Sequence, residues 1–216
     1  MKYFFVVIIF IFALNEDIHS QIFGIKAGLN LSDMYNKRDQ EEVQSNMKPG
    51  FHIGATAEFP ISKMFAFESG ILLSNKGYKV DISETQGGVT ATIKQNVSMY
   101  YLDIPITAKL YLPVGSAKFC FLAGPYLALG LSGTATTELT VNGQTQKKDE
   151  DVNFGSDEDE LKPLDYGLIF GAGIEFSNFT FGINYNLGLA NLLNNTEFNS
   201  TINHKVIGIS AGYKFN

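Results

Sequence analysis

The stretch that decides the fold is KVIGISAGYKF, residues 205–215. Every second residue from Ile207 to Phe215 is apolar, and the residues between them are small or polar. This alternation has the period of a β-strand whose two faces meet two different environments. The strand ends on an aromatic residue, Phe215. A closing strand of about ten residues with this pattern is typical of a transmembrane β-barrel.

Seven other segments have the same strand character, and none has a convincing helical period. In these strands the residues at alternate positions are apolar, and the residues between them are glycine, asparagine or charged residues. A slip by one residue would exchange the two faces, so the register is strongly specified. We predict an all-β fold, an eight-stranded antiparallel up-and-down transmembrane β-barrel. The predicted strands are 22–32, 50–59, 65–79, 95–112, 118–131, 166–176, 179–189 and 204–215.

The connections between these segments alternate in length. Short turns on one rim and long loops on the other are the pattern of outer-membrane barrels, whose short turns face the periplasm. A soluble eight-stranded lipocalin-type barrel would instead point its apolar residues inward. The predicted short turns are 60–64, 113–117 and 177–178, and the predicted long loops are 33–49, 80–94, 132–165 and 190–203.

The first twenty residues have the pattern of a secretory signal peptide. Lys2 precedes an apolar run from Tyr3 to Leu14, which is too short to span a membrane as a helix. We expect cleavage after Ser20, so that 1–20 is the signal peptide and 21–216 is the outer-membrane β-barrel domain. The alternative is an uncleaved membrane anchor.

Composition narrows the choice of partners and of stabilising chemistry. The formal net charge is −6 and there is no basic stripe, which argues against nucleic acid as a partner. The single cysteine, Cys120, excludes an internal disulfide. Closed backbone hydrogen bonding in lipid would hold such a fold together, and nothing in the sequence indicates a cofactor.

Seven phenylalanines fall at the predicted short-turn ends of the strands, each on the outward parity. A ring of aromatic side chains at one height is the interfacial girdle of a membrane barrel. We predict that these side chains contact outer-membrane lipid. They are Phe23, Phe59, Phe65, Phe119, Phe176, Phe179 and Phe215.

Seven charged residues have the inward parity. The interior of an eight-stranded barrel is just wide enough to be filled by side chains, and buried charges are normally paired. We predict a network of ion pairs that plugs the lumen; a narrow ion path is the alternative. The residues are Lys26, Glu58, Glu68, Asp103, Lys109, Glu175 and Lys214.

Four short motifs resemble one known family. They are GIKAGLN at 24–30, FESGILLSNKG at 67–77, YLDIPI at 101–106 and AGPY at 123–126. Their order and spacing resemble the PorT-like outer-membrane protein β-barrel domain family of Bacteroidetes, over essentially all of 21–216. The resemblance implies an eight-stranded barrel in the outer membrane. It implies no single activity, since most members look like uncharacterised barrels and one branch serves a secretion system.

One acidic segment of the predicted loop 132–165 has the spacing of a calcium-binding loop. Glycine is missing at the sixth position, which is Phe154, and no flanking helices are indicated. We expect a solvated acidic loop rather than a metal site. The weak candidate ligands are Asp149, Asp151, Asn153, Asp157 and Glu160.

An enzymatic site would need a nucleophile with a base within reach. After signal removal the histidines are His52 and His204, both near the long-loop rim, and Ser74 or Ser132 could lie at that height. Nothing in the sequence brings these groups together. We therefore expect a non-enzymatic structural or interaction protein, with a possible protein partner at the extracellular loops. A narrow porin-like transport or secretion-system accessory component is the first alternative, and an outer-membrane hydrolase is the second.

Overall fold

The computed structural model describes residues 21–38, 41–43, 45–157, 160–194 and 201–215. The predicted signal peptide lies outside the described residues. The described part of the chain contains no helix that is long and apolar enough to cross a membrane.

All of the regular structure in these ranges is β-strand. The ten strands are β1 (Ile22–Arg38), β2 (Glu41–Val43), β3 (Asn46–Pro60), β4 (Phe65–Gln86), β5 (Val89–Val114), β6 (Ala117–Val141), β7 (Gln144–Val152), β8 (Leu164–Phe176), β9 (Phe179–Gly188) and β10 (Thr201–Phe215).

The strands form one sheet that closes on itself. Hydrogen-bonded neighbours run β10-β9-β8-β6-β5-β4-β3-β1-β2, with β7 paired to β6, and β10 also pairs with β1. The closing register extends from Phe23 opposite Phe215 to Lys37 opposite Thr201, and all the strand pairings are antiparallel. The predicted all-β, antiparallel, up-and-down architecture is confirmed.

The two ends of the barrel differ. We call the end with the short connections, next to Phe23 and Phe215, the lower end, and the opposite end the upper end. At the lower end β3 is joined to β4 through 61–64, β5 to β6 through 115–116 and β8 to β9 through 177–178. These positions match the predicted short turns.

The predicted long loops at 80–94 and 132–165 are wrong over much of their length. Two-residue hairpin turns replace them, at Gly87-Gly88 between β4 and β5 and at Asn142-Gly143 between β6 and β7. All four residues have positive φ, from 50° to 81°. Asn-Gly and Gly-Gly are the pairs that such tight turns require, because glycine and asparagine adopt this backbone conformation at least cost. The predicted loop at 33–49 is likewise mostly strand, in β1, β2 and β3.

Candidate functional site

Six of the predicted lumen charges meet near the lower end in one network, which we call the lower ion cluster. Lys109 is at its centre: its Nζ is 3.2 Å from Glu58 Oε2 and 3.6 Å from Glu175 Oε1, and it also contacts Glu68. The Lys109 side chain is 4% exposed, so these contacts are shielded from bulk water. The members of the cluster are Lys26, Glu58, Glu68, Lys109, Glu175 and Lys214.

The other two lysines complete the cluster. Lys214 Nζ is 2.7 Å from both Glu58 Oε2 and Glu175 Oε1. Lys26 Nζ is 2.5 Å from Glu68 Oε1. Three lysines therefore face three glutamates from β1, β3, β4, β5, β8 and β10, and the cluster ties together strands on opposite sides of the barrel.

Tyr111 belongs to the same network, although the sequence analysis did not include it. Its hydroxyl oxygen is 2.7 Å from Glu58 Oε2, 3.0 Å from Glu175 Oε1 and 3.1 Å from Lys214 Nζ. A signal for it was present, since Tyr111 has the same parity in β5 as Lys109. An aromatic residue on an inward parity was not recognised as a hydrogen-bonding group.

The seventh predicted lumen charge, Asp103, lies apart from the lower ion cluster. It accepts a hydrogen bond of 2.7 Å from Lys76 Nζ, and Lys76 Nζ is also 4.0 Å from Asp165 Oδ2. The rings of Tyr101 and Tyr126 flank the ammonium group, with centroids at 5.0 and 5.2 Å. We call Lys76, Asp103 and Asp165 the upper ion cluster. Lys76 lies on the same face of β4 as Glu68, so it could have been predicted as a lumen charge. Asp165 could not, because it fell in a predicted loop.

A small cavity lies between the two clusters, and both charged and apolar side chains line it. Its volume is about 80 Å³, which is room for a few water molecules. Its lining includes Lys26, His52, Glu68, Lys76, Asp103 and Asn184.

Around and above the upper ion cluster the lumen is filled by apolar and aromatic side chains, which we call the plug. It consists of Met34, Val97, Met99, Tyr101, Tyr126, Ala128, Ile169, Ala190 and Leu192, with Phe154 and Leu161 packed against them. Phe154 meets the Tyr101 ring edge to face, at 5.4 Å between centroids. The backbone N–H of Lys162 donates to Leu192 O at 2.8 Å, which joins the connections on either side of β8 and β9. Both connections therefore fold over the mouth of the barrel.

The candidate calcium ligands do not form a loop. Asp149 and Asp151 lie in the extended strand β7, where Asp149 accepts a hydrogen bond of 2.6 Å from Thr136 Oγ1. Asn153, Asp157 and Glu160 lie in the connection that follows. A calcium loop curls all of its ligands around one ion, which an extended strand cannot do. The described residues contain no group of three or more acidic, histidine or cysteine side chains placed to hold a metal.

The two histidines lie in the lumen, and His52 lies opposite Ser74 on the neighbouring strand β4. His52 Nδ1 is 2.8 Å from Asn30 Oδ1, and its ring lies over Gly28 on β1, on the side of β3 away from Ser74. His204 is almost completely buried at the upper end, with its ring against Tyr101 at 5.1 Å between centroids. In the described ranges neither nitrogen of His204 has a hydrogen-bond partner.

The remaining serine candidate, Ser132, is exposed and lies opposite Tyr100 on the outer surface, away from both histidines. Among the described residues no hydrogen bond joins either histidine to Ser74 or Ser132.

The seven predicted girdle residues lie at the lower ends of their strands, and six are exposed on the outer surface while Phe59 is half-buried. Cross-strand pairs connect several of them, such as Phe23 with Phe215 and Phe176 with Phe179. A second aromatic band at the upper end was missed, although the parity of its members points outward. It consists of Phe51, Tyr100, Tyr166 and Tyr185, all exposed.

Between the two aromatic bands the outer surface is apolar. Leu29, Ile53, Ile183 and Ile209 are each more than half exposed, which in water would be an unusually large apolar surface. Asp33 and Lys205 form a cross-strand pair just above Leu31 and Ile207 on the same face. These charges mark the upper border of the apolar belt.

Above that border β4, β5, β6 and β7 continue as a four-stranded sheet, which we call the outer sheet. It comprises 79–86, 89–97, 133–141 and 144–152. Its outward face is polar, with hydroxyl pairs such as Ser83 with Thr92 at 3.0 Å and Thr140 with Thr145 at 2.8 Å. The polarity of the two faces is thus reversed relative to the barrel below.

The inward face of the outer sheet carries an apolar row. Ile82 lies opposite Ile93, and Ile93 lies opposite Leu139. These three side chains remain 39–47% exposed, because they extend above the plug. Among the described residues, β7 pairs only with β6, so one edge of the outer sheet is free.

The closed antiparallel sheet, its apolar outer belt and its charged interior define a membrane β-barrel. The model of the outer membrane protein β-barrel domain matches residues 17–194, and the chain belongs to that family. The family places the protein in the outer membrane.

Comparison with solved structures shows small sequence identities. The attachment invasion locus protein Ail of Yersinia pestis is 15% identical, with 91% of this chain and 100% of that chain covered and a TM-score of 0.37. Neisserial surface protein A is 11% identical with the same coverage and a TM-score of 0.45. LpxR from Salmonella typhimurium is 10% identical, again with 91% and 100% covered, at a TM-score of 0.29. A comparison with curated proteins finds no match.

Proposed function

We propose that this protein is a non-enzymatic outer-membrane barrel with a sealed lumen that presents the outer sheet as a binding surface for a protein partner. Eight strands cross the membrane, namely β1, β3, β4, β5, β6, β8, β9 and β10. β2 and β7 lie above the membrane, since each pairs with a single neighbour at the upper end. The lower end faces the periplasm, and a cleaved signal peptide at 1–20 directs export.

One contrast supports the proposal: the lumen is filled by side chains, whereas the outer sheet exposes an apolar row and a free strand edge. The lower ion cluster fills the lumen near the lower end, and the upper ion cluster with the surrounding plug fills it towards the upper end. The apolar row of the outer sheet is exposed above them, beside a free strand edge. An exposed apolar patch next to unpaired backbone groups is typical of a binding surface for another chain.

The four motifs that resemble the PorT-like family of Bacteroidetes support assignment to that family, one branch of which serves a secretion system. A narrow porin-like or secretion-accessory role therefore remains the alternative to test. The hydrolase is the weaker alternative, because among the described residues neither His52 nor His204 forms a hydrogen bond with Ser74 or Ser132.

Conductance separates the sealed barrel from the porin-like alternative. We expect the refolded protein in planar bilayers to show no stable open channel, because ion pairs fill the cross-section of the lumen near the lower end and ion pairs with apolar side chains fill it towards the upper end. Single-channel recording measures this directly, with a known porin in the same membrane as the positive control. Steady channels of large conductance would contradict the sealed lumen.

Site-specific photo-crosslinking tests the binding surface. A photoreactive residue at Ile93 is expected to form a discrete protein adduct in intact cells, whereas the same residue at Thr92, its neighbour on the polar face, is not. Lysine at Ile82 and Leu139 should abolish the adduct, since both side chains flank Ile93. Equal adducts from both positions, or none at Ile93, would remove the support for a partner on this face.

A further inference from the structure

Lys48 is a buried cation at the upper end of β3. The residue is only 7% exposed. Its Nζ donates to Asn75 Oδ1 at 3.1 Å and to the Pro49 carbonyl oxygen at 3.4 Å, both of which are neutral acceptors. Within the described ranges it forms no ion pair with a carboxylate. A buried lysine normally has a counter-ion, so this position is unusual.

The charged side chain that acts on Lys48 is another cation. Lys79 lies on β4 opposite Asn46, two residues before Lys48 along β3, and its charge repels that of Lys48. Lys79 is half-exposed, and in the described structure it too has no carboxylate partner. Two neighbouring ammonium groups without a counter-ion favour the binding of an anion.

The side chain that Lys48 contacts, Asn75, has the outward parity of β4 rather than the parity of the lumen. Neither Lys48 nor Asn75 lines the lumen cavity of the described structure. Asn75 Nδ2 donates to Ser98 Oγ at 2.9 Å, and Ser98 shares the outward parity of Tyr100. A β-bulge between Met47 and His52, the segment that contains Lys48, shifts the register of β3 against β4 and interrupts the alternation of its faces there.

The position coincides with the upper border of the apolar belt. Tyr100 lies two residues below Ser98, and its ring meets that of Phe51 at 6.3 Å between centroids. Both rings are exposed on the lipid-facing surface, as expected at a membrane interface. An anion bound by the two lysines would therefore lie at the height of the lipid headgroups.

We infer that Lys48 and Lys79 form a binding site for a phosphate group, supplied by the headgroup of an outer-leaflet lipid. Phosphate carries enough negative charge to neutralise two lysines, and lysine binds it readily as a point charge. Basic sites at the membrane border bind phosphorylated headgroups for the same reason. The Ser98 hydroxyl, which accepts from Asn75, retains its own proton to donate to a phosphate oxygen. The acyl chains would then extend over Phe51 and Tyr100.

Native mass spectrometry of the full chain, refolded in dodecyl maltoside micelles, tests the site. The probes are diphosphorylated lipid A, uncharged diacylglycerol and inorganic phosphate. We expect wild type to bind lipid A in preference to diacylglycerol, and the variant Lys48→Met/Lys79→Gln to bind lipid A at least about tenfold more weakly. Lys94→Gln, an exposed lysine on β5 placed opposite Asp81, is the matched control and should keep wild-type affinity.

Lys79→Gln alone keeps the inference testable if the double variant fails to fold, because Lys79 is half-exposed and its loss leaves no buried group unsatisfied. It should weaken lipid A binding measurably. If inorganic phosphate competes with lipid A and shows the same dependence on the two lysines, phosphate binding is supported and its source is free phosphate. Equal binding of lipid A and diacylglycerol, or unchanged affinity in the lysine variants, would overturn the inference.

The assignment of the bound lipid to the outer leaflet rests on the proposed function, which places the lower end of the barrel in the periplasm. The binding site itself does not depend on that orientation. Micelles have no inner and outer side, so a barrel of inverted orientation would bind lipid A in this assay unchanged. Attachment of a membrane-impermeant maleimide to a cysteine introduced at Thr92, in intact cells, reports orientation separately. Failure of the phosphate site and failure of the assigned orientation would therefore be detected by different experiments.

Discussion

Replacement of Lys109 by methionine is expected to destabilise the barrel by about 3–5 kcal/mol. Lys109 is the one lysine of the lower ion cluster that contacts all three glutamates. Methionine keeps most of the side-chain volume but leaves three buried carboxylates facing two lysines. The cost is that of an uncompensated buried charge, which is far larger than the net value of the intact pair.

The free energy of unfolding can be measured by urea titration of the refolded protein in lipid vesicles. Lys147→Met is the matched control: Lys147 lies 3.8 Å from Asp149, but both side chains are more than half exposed. Its loss should change stability by less than about 1 kcal/mol, because exposed ion pairs contribute little. Similar effects of the two substitutions would show that the lower ion cluster is not shielded from water as its burial indicates.

A compensating substitution refines this result. Lys109→Met combined with Glu68→Gln removes one positive and one negative charge together. The pair should be less destabilising than Lys109→Met alone, because two glutamates then face two lysines. A double-mutant cycle with Glu68→Gln gives the coupling free energy between the two side chains.

Arginine in place of Ile209 is expected to cost about 2–4 kcal/mol of stability in a bilayer. Ile209 is exposed near the middle of β10, opposite Leu29 on one side and Ile183 on the other. Phe215 and Lys205 lie below and above it at the two borders of the apolar belt. A guanidinium group at that depth must leave water or distort the bilayer.

The control for this prediction is Ile93→Arg in the outer sheet. Ile93 is 43% exposed and Ile209 is 55% exposed, so exposure alone would predict similar effects. Outside the membrane, arginine at Ile93 should change the free energy of unfolding by less than about 0.5 kcal/mol. Measurement of both variants in vesicles decides whether lipid covers the belt and ends below the outer sheet. A small effect at Ile209 would contradict the assigned belt.

Features that depend on neighbouring residues in the chain could be predicted from the sequence, whereas features that depend on contacts between distant strands could not. The inward and outward faces of β10 could be predicted from the sequence, because the period-two alternation around Ile209 is a local pattern. The turn at Asn142-Gly143 was also legible, but its signal was overlooked because the threonine-rich strands around it lack the apolar alternation of the barrel wall. Above the membrane both faces of a strand can be polar, so alternation no longer identifies it.

The ion-pair partners of the charged side chains could not be predicted from the sequence. Lys214 and Glu58 are 156 residues apart, and their 2.7 Å contact depends on how the strands tilt and stagger around the closed barrel. Parity places both side chains in the lumen, and their neighbours Phe59 and Phe215 place them near the lower end, but neither signal shows which charged side chains meet across the lumen. For the same reason Asp103 was grouped with the lower ion cluster, whereas the stagger raises it to meet Lys76.

The sequence by itself determined which side chains face lipid, which face the lumen and where aromatic residues border the membrane at the lower end, because a strand alternates its faces residue by residue. Only the tertiary structure decided which lysine meets which glutamate and that two connections fold into the mouth as a plug. It also decided that Lys48 and Lys79 come near each other without a carboxylate partner among the described residues. Those contacts join strands far apart in the chain, and their geometry exists only once the sheet has closed.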